Sequence, residues 1–329
     1  MKKILSHLFE HKSFTRKEAH EILTNIATGG YNTAQIASFM TAYSMRSIRE
    51  EELEGFRDSM FDLSLKRDYR DYKLIDLCGT GGDGKNTFNI STMASFIVAG
   101  AGHKVAKHGN YGVSSGCGSS NVMEYLGYQF SNEQDEIYRS LDDANICFLH
   151  APLFHPAMKT VAPIRRDLGV KTFFNMLGPL INPANPVYQS VGVFSLELAR
   201  LYGYIYQKTD KQFSIIHALD GYDEVSLTGN FKLISNRAEE IKTLKDLGFE
   251  PIDPADIRGG DTVEEAAGIF EKIISNKGTE VQNKVVLCNA AIAIHTIKPN
   301  TSFEDCYAEA KESLESGNAL RSFKTLLKQ

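Results

Sequence analysis

The sequence predicts an α/β protein: a small N-terminal helical domain followed by a larger α/β domain with a mostly parallel central sheet. Three observations carry this expectation. Residues 1–70 show repeated helix-start signatures and apolar stripes at helical spacing. From residue 74 onward, short apolar runs alternate with helical patterns, the rhythm of strands and helices around a parallel sheet. The 329 residues, 42% hydrophobic and 23% charged, suffice for two cores.

In the front segment, three polar residues each stand three positions before a Glu or Gln: Thr15 with Glu18, Asn32 with Gln35, and Ser47 with Glu50. Each pair can satisfy the first free N–H groups of a helix. Ala19, Ile22, Leu23 and Ile26 form an apolar stripe after the first cap, closed by Gly29-Gly30. Ile36, Phe39, Met40 and Tyr43 form the next. Strands are expected at 74–77, 105–106, 146–149, 191–194 and 213–216. Helices are expected at 90–102 and 196–206, and in the tail at 283–296, 303–316 and 320–327. Residues 158–168 also read as a helix, with Pro163 marking a kink or a start. The expected division is a helical domain of residues 1–70, joined by helices from about 157–187, and an α/β domain of 71–329.

Composition removes several classes of function. The formal net charge is −5, and cations are interspersed with anions, as in Lys66-Arg67-Asp68. No basic arm or stripe points to nucleic acid. Cys78, Cys117, Cys147, Cys288 and Cys306 are odd in number and include no C-x-x-C pair. They suggest reduced thiols in a cytoplasmic protein, not a disulfide framework or zinc site. Lys2-Lys3 begins like a signal peptide, but His7, Glu10 and His11 interrupt the apolar run. The most apolar stretch, 90–102, contains Ser91, Thr92 and Ser95 and is too short to span a bilayer. No membrane partner is expected.

The chemistry-bearing features are loops. Gly79-Thr80-Gly81-Gly82-Asp83-Gly84 follows an expected strand and precedes an expected helix. Glycines let a backbone approach an anion and turn several N–H groups towards it, and a following helix N-terminus adds a positive dipole end. Asn89, Ser91 and Thr92 then offer an amide and hydroxyls. No Gly-Lys-Ser/Thr follows, so this is not a Walker loop, and the acid expected of a dinucleotide fingerprint is missing. Alone, the run is equally a tight structural turn. A second loop, residues 107–119, offers Lys107, Asn110, Ser114, Ser115 and Ser119. Loops after adjacent parallel strands converge at one sheet edge, where two of them suit a ligand with two separated phosphate groups.

Residues 150–186 carry His150, His155, Arg165 and Arg166 among several prolines. Arg165 has the fork that grips a carboxylate, although an isolated arginine is more often a surface residue. Asp220, Asp223 and Glu224 follow an expected strand. Neighbouring carboxylates suit Mg²⁺, which takes a few carboxylates plus substrate phosphates. They also suit an acidic turn around Gly221.

Taken together, these motifs resemble the anthranilate phosphoribosyltransferase family along essentially the whole chain. The matching runs are the glycine loop with Asn89-Ile90-Ser91-Thr92, Lys107-His108-Gly109-Asn110 with Ser114-Ser115, residues 155–183, and Asp220-Gly221-Tyr222-Asp223-Glu224. The resemblance implies that the phosphoribosyl group of phosphoribosyl pyrophosphate passes to the amine of anthranilate, in tryptophan biosynthesis. It assigns Gly79, Thr80, Gly82, Asp83, Thr87, Asn89, Ile90, Ser91 and Thr92 to phosphoribosyl pyrophosphate. Lys107, His108, Gly109, Asn110, Tyr111, Gly112, Val113, Ser114, Ser115 and Ser119 complete that set. Gly79, Asn110 and Arg165 match anthranilate contacts, with His108, His155 and Gly178 lining the path. Ser91, Asp223 and Glu224 match contacts to Mg²⁺, two ions per subunit, and the family implies a homodimer formed through the helical domain.

The chain departs from the common pattern in the second loop. Tyr111 and Gly116 stand where a basic residue is common, and Cys117, Ser120 and Asn121 replace Ser, Ala and Asp. Fewer cations there are expected to weaken phosphate affinity or to shift contacts to backbone N–H groups. Two rivals share the architecture. A pyrimidine nucleoside phosphorylase would carry a different first loop and lack the Lys-His-Gly-Asn run. A non-catalytic nucleic-acid-binding paralogue would be basic and lack the acidic pair.

Overall fold

The computed structural model describes residues 1–112 and 117–328. The chain forms two compact units, one of Met1–Arg67 with Ala151–Pro183 and one of Asp68–His150 with Ala184–Gln329.

The first unit is helical, with helices Lys2–Phe9, Arg16–Ala27, Thr33–Ser44, Glu50–Asp62 and Met158–Leu168. Two expected caps are present: Thr15 and Glu18 bond reciprocally, as do Asn32 and Gln35. The third is displaced. The helix starts at Glu50, and Arg49 N–H donates to Glu52 Oε2 at 2.9 Å. Glu52 is wholly buried and also accepts from Phe14 N–H at 3.1 Å, the Tyr43 hydroxyl at 2.8 Å and the Arg46 guanidinium. A buried carboxylate needs such a set of donors, and that need moves the cap. In the same unit Phe39 meets Phe56 and Phe173 edge to face, and the Phe56 and Phe173 centroids lie 4.6 Å apart. Helix Met158–Leu168 runs through Pro163 and ends at Gly169, whose φ of +63° suits a residue without a Cβ.

The second unit is a seven-stranded sheet in the order β3-β2-β1-β4-β5-β6-β7. The strands are β1 Leu74–Gly79, β2 Lys104–Gly109, β3 Ile146–His150, β4 Tyr188–Gly192, β5 Gln212–Ala218, β6 Phe231–Ser235 and β7 Glu239–Lys242. The first five are parallel and the last two antiparallel. β4 lies three residues earlier than expected at its start. Its Gln189 and Ser190 are buried, which disguises it as a polar segment. Gln189 is satisfied internally, its amide donating to Asp76 Oδ2 at 3.3 Å. β6 and β7 were not expected, because β7 is a charged, largely exposed edge strand. Helices Ile90–Gly100 and Glu280–Ile297 are buried over most of their surface and form the centre of the core. From β1 the chain moves outward on one side to β2 and β3, and β4 and β5 build the other side. The carboxyl ends of β1 and β4 are therefore the point where strand order reverses, the usual place for a ligand.

Among the described residues, no helix is long and apolar enough to cross a membrane. The five cysteines are free, with Cys117 half-buried and the others buried.

Candidate active site

β1 ends at Gly79, and the backbone immediately turns. Gly81, Gly82 and Gly84 have φ of +63°, +76° and +76°, a region that side chains disfavour. Thr80 N–H continues the sheet by donating to Gly192 O at 2.9 Å. Gly81 N–H donates to Asp223 Oδ2 at 2.8 Å, and Asp83 Oδ1 accepts from Lys85 N–H at 3.0 Å. Asn89 stands just before the helix that begins at Ile90, and its side-chain amide, instead of capping that helix, donates to Cys117 O at 3.4 Å. That bond ties the first loop to the second.

The acidic turn after β5 is seated on this loop. Asp223 is buried and Glu224 half-buried. Glu224 Oε1 accepts from Ser91 N–H at 3.2 Å, and Oε2 from the Thr87 hydroxyl at 3.4 Å. Two strand-end glycines make the approach possible. A Cβ at Gly79 would stand 2.5 Å from Asp223 Oδ2, and one at Gly192 only 1.4 Å from Asp223 O. Burial, then repulsion from Asp83, raises Asp223 above the usual carboxylate range. Glu224 is raised by burial, then by Asp223 and Asp83. Crowded carboxylates of this kind are relieved by a divalent cation. Among the described residues no three or more His, Cys, Asp or Glu side chains form a metal cage by themselves. Asp223 and Glu224 are oxygen donors of the kind Mg²⁺ takes, a few carboxylates with the rest of its shell from water and substrate phosphate.

β2 delivers the second loop. Lys107 is buried, its ammonium donating to Leu77 O at 2.5 Å and to Ser91 Oγ at 3.4 Å. Burial draws its pKa below the ordinary value, and the nearby Asp76 opposes that shift. Asp76, wholly buried in β1, accepts from His108 N–H at 3.1 Å. Asn110 O accepts from Ser120 N–H at 3.2 Å and from the Ser119 hydroxyl at 3.5 Å. Asn121 Oδ1 accepts from both Gly112 and Gly118 N–H, each at 3.0 Å. Tyr111, which replaces the common cation, lies edge-on to His150 at 4.8 Å and donates to Glu124 at 3.3 Å. The expected contacts at Val113, Ser114 and Ser115, and the departure at Gly116, lie outside the described residues.

The remaining residues expected to serve anthranilate, Arg165, His155 and Gly178, belong to the helical unit. Arg165 lies over the Phe174 ring at 5.4 Å and donates to Asn175 Oδ1 at 3.4 Å. His155 is buried at the end of the short turn before helix Met158–Leu168, and Gly178 opens a 3₁₀ turn. Within the α/β unit, the structure brings the two loops and the acidic turn together. Sequence reasoning missed Asp76 and Gly192, and noted Asn121 only as a departure from the family pattern. Their partners are remote in sequence or are backbone atoms, so no local pattern marks them.

Comparison with known proteins agrees with this arrangement. Residues 71–320 match the α/β domain of a glycosyl transferase family, and residues 2–64 match its helical bundle domain. An anthranilate phosphoribosyltransferase of Christiangramia forsetii is 57% identical over 328 residues, covering 100% of this chain and 99% of the relative. That of Cytophaga hutchinsonii is 54% identical, covering 100% of both. The crystal structure of the Thermus thermophilus enzyme superposes with a TM-score of 0.91 at 28% identity, covering 98% of each chain. The Saccharomyces cerevisiae enzyme, in complex with phosphoribosyl pyrophosphate and Mg, gives 0.89 at 26% identity, covering 98% of this chain and 96% of that one. The chain belongs to the anthranilate phosphoribosyltransferase family.

Proposed function

We propose that this chain transfers the 5-phosphoribosyl group of phosphoribosyl pyrophosphate to the amine of anthranilate, releasing pyrophosphate. The observation that carries this is the acidic turn seated on the N–H groups of the first glycine loop at the sheet's switch point. Gly81 donates to Asp223 and Ser91 to Glu224, so the first loop and the turn form one structure. Transfer from the anomeric carbon needs no covalent nucleophile, only positioning and neutralisation of the departing charge. Ser91, Asp223 and Glu224 would hold Mg²⁺, which when bound neutralises and orients the pyrophosphate. Lys107, anchored at Leu77 O and beside Ser91, adds a fixed positive charge. The residues assigned above to phosphoribosyl pyrophosphate supply backbone N–H groups and hydroxyls to its phosphates. Arg165, half-buried and lying over an aromatic face, has the fork for the anthranilate carboxylate. Gly79, His108, Asn110, His155 and Gly178 complete that acceptor set.

The same reading takes two Mg²⁺ ions per subunit, a homodimer and a cytoplasmic location. Free thiols support the location. Phe9 and Met45, exposed on the helical unit, support the dimer. The decisive experiment follows anthranilate fluorescence. Its loss should require phosphoribosyl pyrophosphate and Mg²⁺ together, and folded protein that leaves it unchanged with both present overturns the proposal.

A further inference from the structure

Asn289 lies within the buried helix Glu280–Ile297, 8% exposed, far in sequence from every motif above. Its side-chain amide pairs with both backbone groups of one residue, Val225. Oδ1 accepts from Val225 N–H at 3.1 Å, and Nδ2 donates to Val225 O at 2.9 Å. The second Nδ2 hydrogen serves Val285 O, one helical turn back, at 2.9 Å. Val225 follows Glu224 directly. Asn is a weak helix former, and a helix interior gives it no intrinsic advantage. What it offers here is a planar donor and acceptor that can pair with both backbone groups of one residue. Gly79, Ser91, Gly192, Asp223, Glu224 and Asn289 also line one small cavity of about 20 Å³. The core helix thus reaches the floor of the site through this side chain.

We infer that Asn289 is a positioning residue for the metal-binding turn: its grip on both backbone groups of Val225 fixes where the Asp223 and Glu224 carboxylates stand. This rests on the metal role proposed for those two carboxylates. Asp223 is already limited on one side by Gly192, whose missing Cβ admits its carbonyl, and on another by Gly79. Neither glycine holds the chain after Glu224. Asn289 does, so without it the turn can move away from the loop while the sheet stays intact.

The test measures Mn²⁺ binding by water-proton relaxation, with phosphoribosyl pyrophosphate present and anthranilate absent, so that no turnover occurs. Asn289→Leu should weaken Mn²⁺ at least about tenfold, as loss of a residue supporting metal ligands commonly does. The KM for anthranilate should stay within about twofold. Thr296→Val is the control. Thr296 is buried on the same helix and bonded to Ser214 at 2.7 Å, and its loss should lower Tm without changing Mn²⁺ affinity. If Asn289→Leu does not fold, Asn289→Asp decides. Its carboxylate can still accept from Val225 N–H but has no hydrogen for Val225 O or Val285 O, and the same loss is expected. A folded Asn289 variant with unchanged Mn²⁺ affinity, beside an Asp223→Asn variant that loses it, overturns the positioning role alone. Equal weakening in Thr296→Val also overturns it. Unchanged affinity in Asp223→Asn overturns the metal reading, and this inference with it.

Discussion

Gly79 and Gly192 end neighbouring strands in register, yet a methyl group at each would meet different matter. At Gly192 the obstacle is backbone, Asp223 O at 1.4 Å and Asp223 C at 2.5 Å, so the strand or the turn must move. Overpacking of that kind costs about 1–3 kcal/mol or more, and Gly192→Ala should lower Tm by on the order of 5 °C in a thermal melt. At Gly79 the obstacle is the tip of the Asp223 side chain, 2.5 Å away, which can rotate aside. Gly79→Ala should therefore melt within about 2 °C of the parent yet lose at least about tenfold in kcat, because the displaced carboxylate is one of those proposed to hold Mg²⁺. Equal Tm losses in the two variants would refute this distinction. A second prediction concerns His150. Burial, reinforced by neighbouring His108, lowers its pKa from 6.5 to about 4. Between those values the unfolded ring binds a proton that the folded ring does not, so stability falls as pH drops from 6.5 towards 4 and levels off below. Melting between pH 6.5 and pH 4 should be less pH-dependent in His150→Gln than in the parent, and parallel curves would dismiss the effect. At this scale legibility depended on neighbours in sequence. Gly79 stands in a glycine run and was visible. Gly192 and Asn289 act on residues 31 and 64 positions away, by their numbering against Asp223 and Val225, and no window of sequence contains both partners.

Elements were legible where burial was apolar and one-sided in its demands. β1, β3 and β5 read as apolar runs because a parallel sheet is buried on both faces, whereas β2 was legible only at Val105-Ala106, its Lys107 and His108 being buried polar residues. β4 was misplaced because Gln189 and Ser190 are buried polar residues, Gln189 being satisfied by Asp76 in β1. A further element escaped notice altogether. Residues 257–260 run beside 86–88: Phe88 N–H donates to Ile257 O at 3.1 Å, and Gly259 N–H to Asn86 O at 2.8 Å. Asn86 Nδ2 adds a bond to Gly260 O at 2.8 Å, so the strap braces the first loop just before Asn89. A Cβ at Gly259 would sit 2.4 Å from Thr87 O and 2.9 Å from Phe88 N, both backbone atoms. Gly259→Ala should push the Thr87 segment off its position. The expected result is a KM for phosphoribosyl pyrophosphate raised at least about fivefold, with the anthranilate KM within about twofold. A KM increase confined to anthranilate would show that the strap does not position the phosphate loop.

For the whole molecule, the question is what covers the apolar surface that the single chain leaves open. On the helical unit, Phe9 is 65% and Met45 83% exposed, whereas most large apolar side chains of that unit are buried. Apolar side chains scattered singly need no partner, but large ones standing open on a small bundle are a recurrent mark of an interface. If the homodimer proposed above forms through these helices, the mass in sedimentation equilibrium should be twice the 36.6 kDa of one chain. Replacing both Phe9 and Met45 by Glu should convert it to the single-chain mass, because each interface would then bury carboxylates without partners. Both positions are open in the single chain, so the same variant should keep its far-UV circular dichroism and its ability to bind phosphoribosyl pyrophosphate. A parent protein that sediments at 36.6 kDa at all concentrations would refute the dimer. A double variant that stays dimeric would move the interface away from Phe9 and Met45. Loss of fold in the variant would show instead that these side chains support the bundle itself, contrary to their exposure.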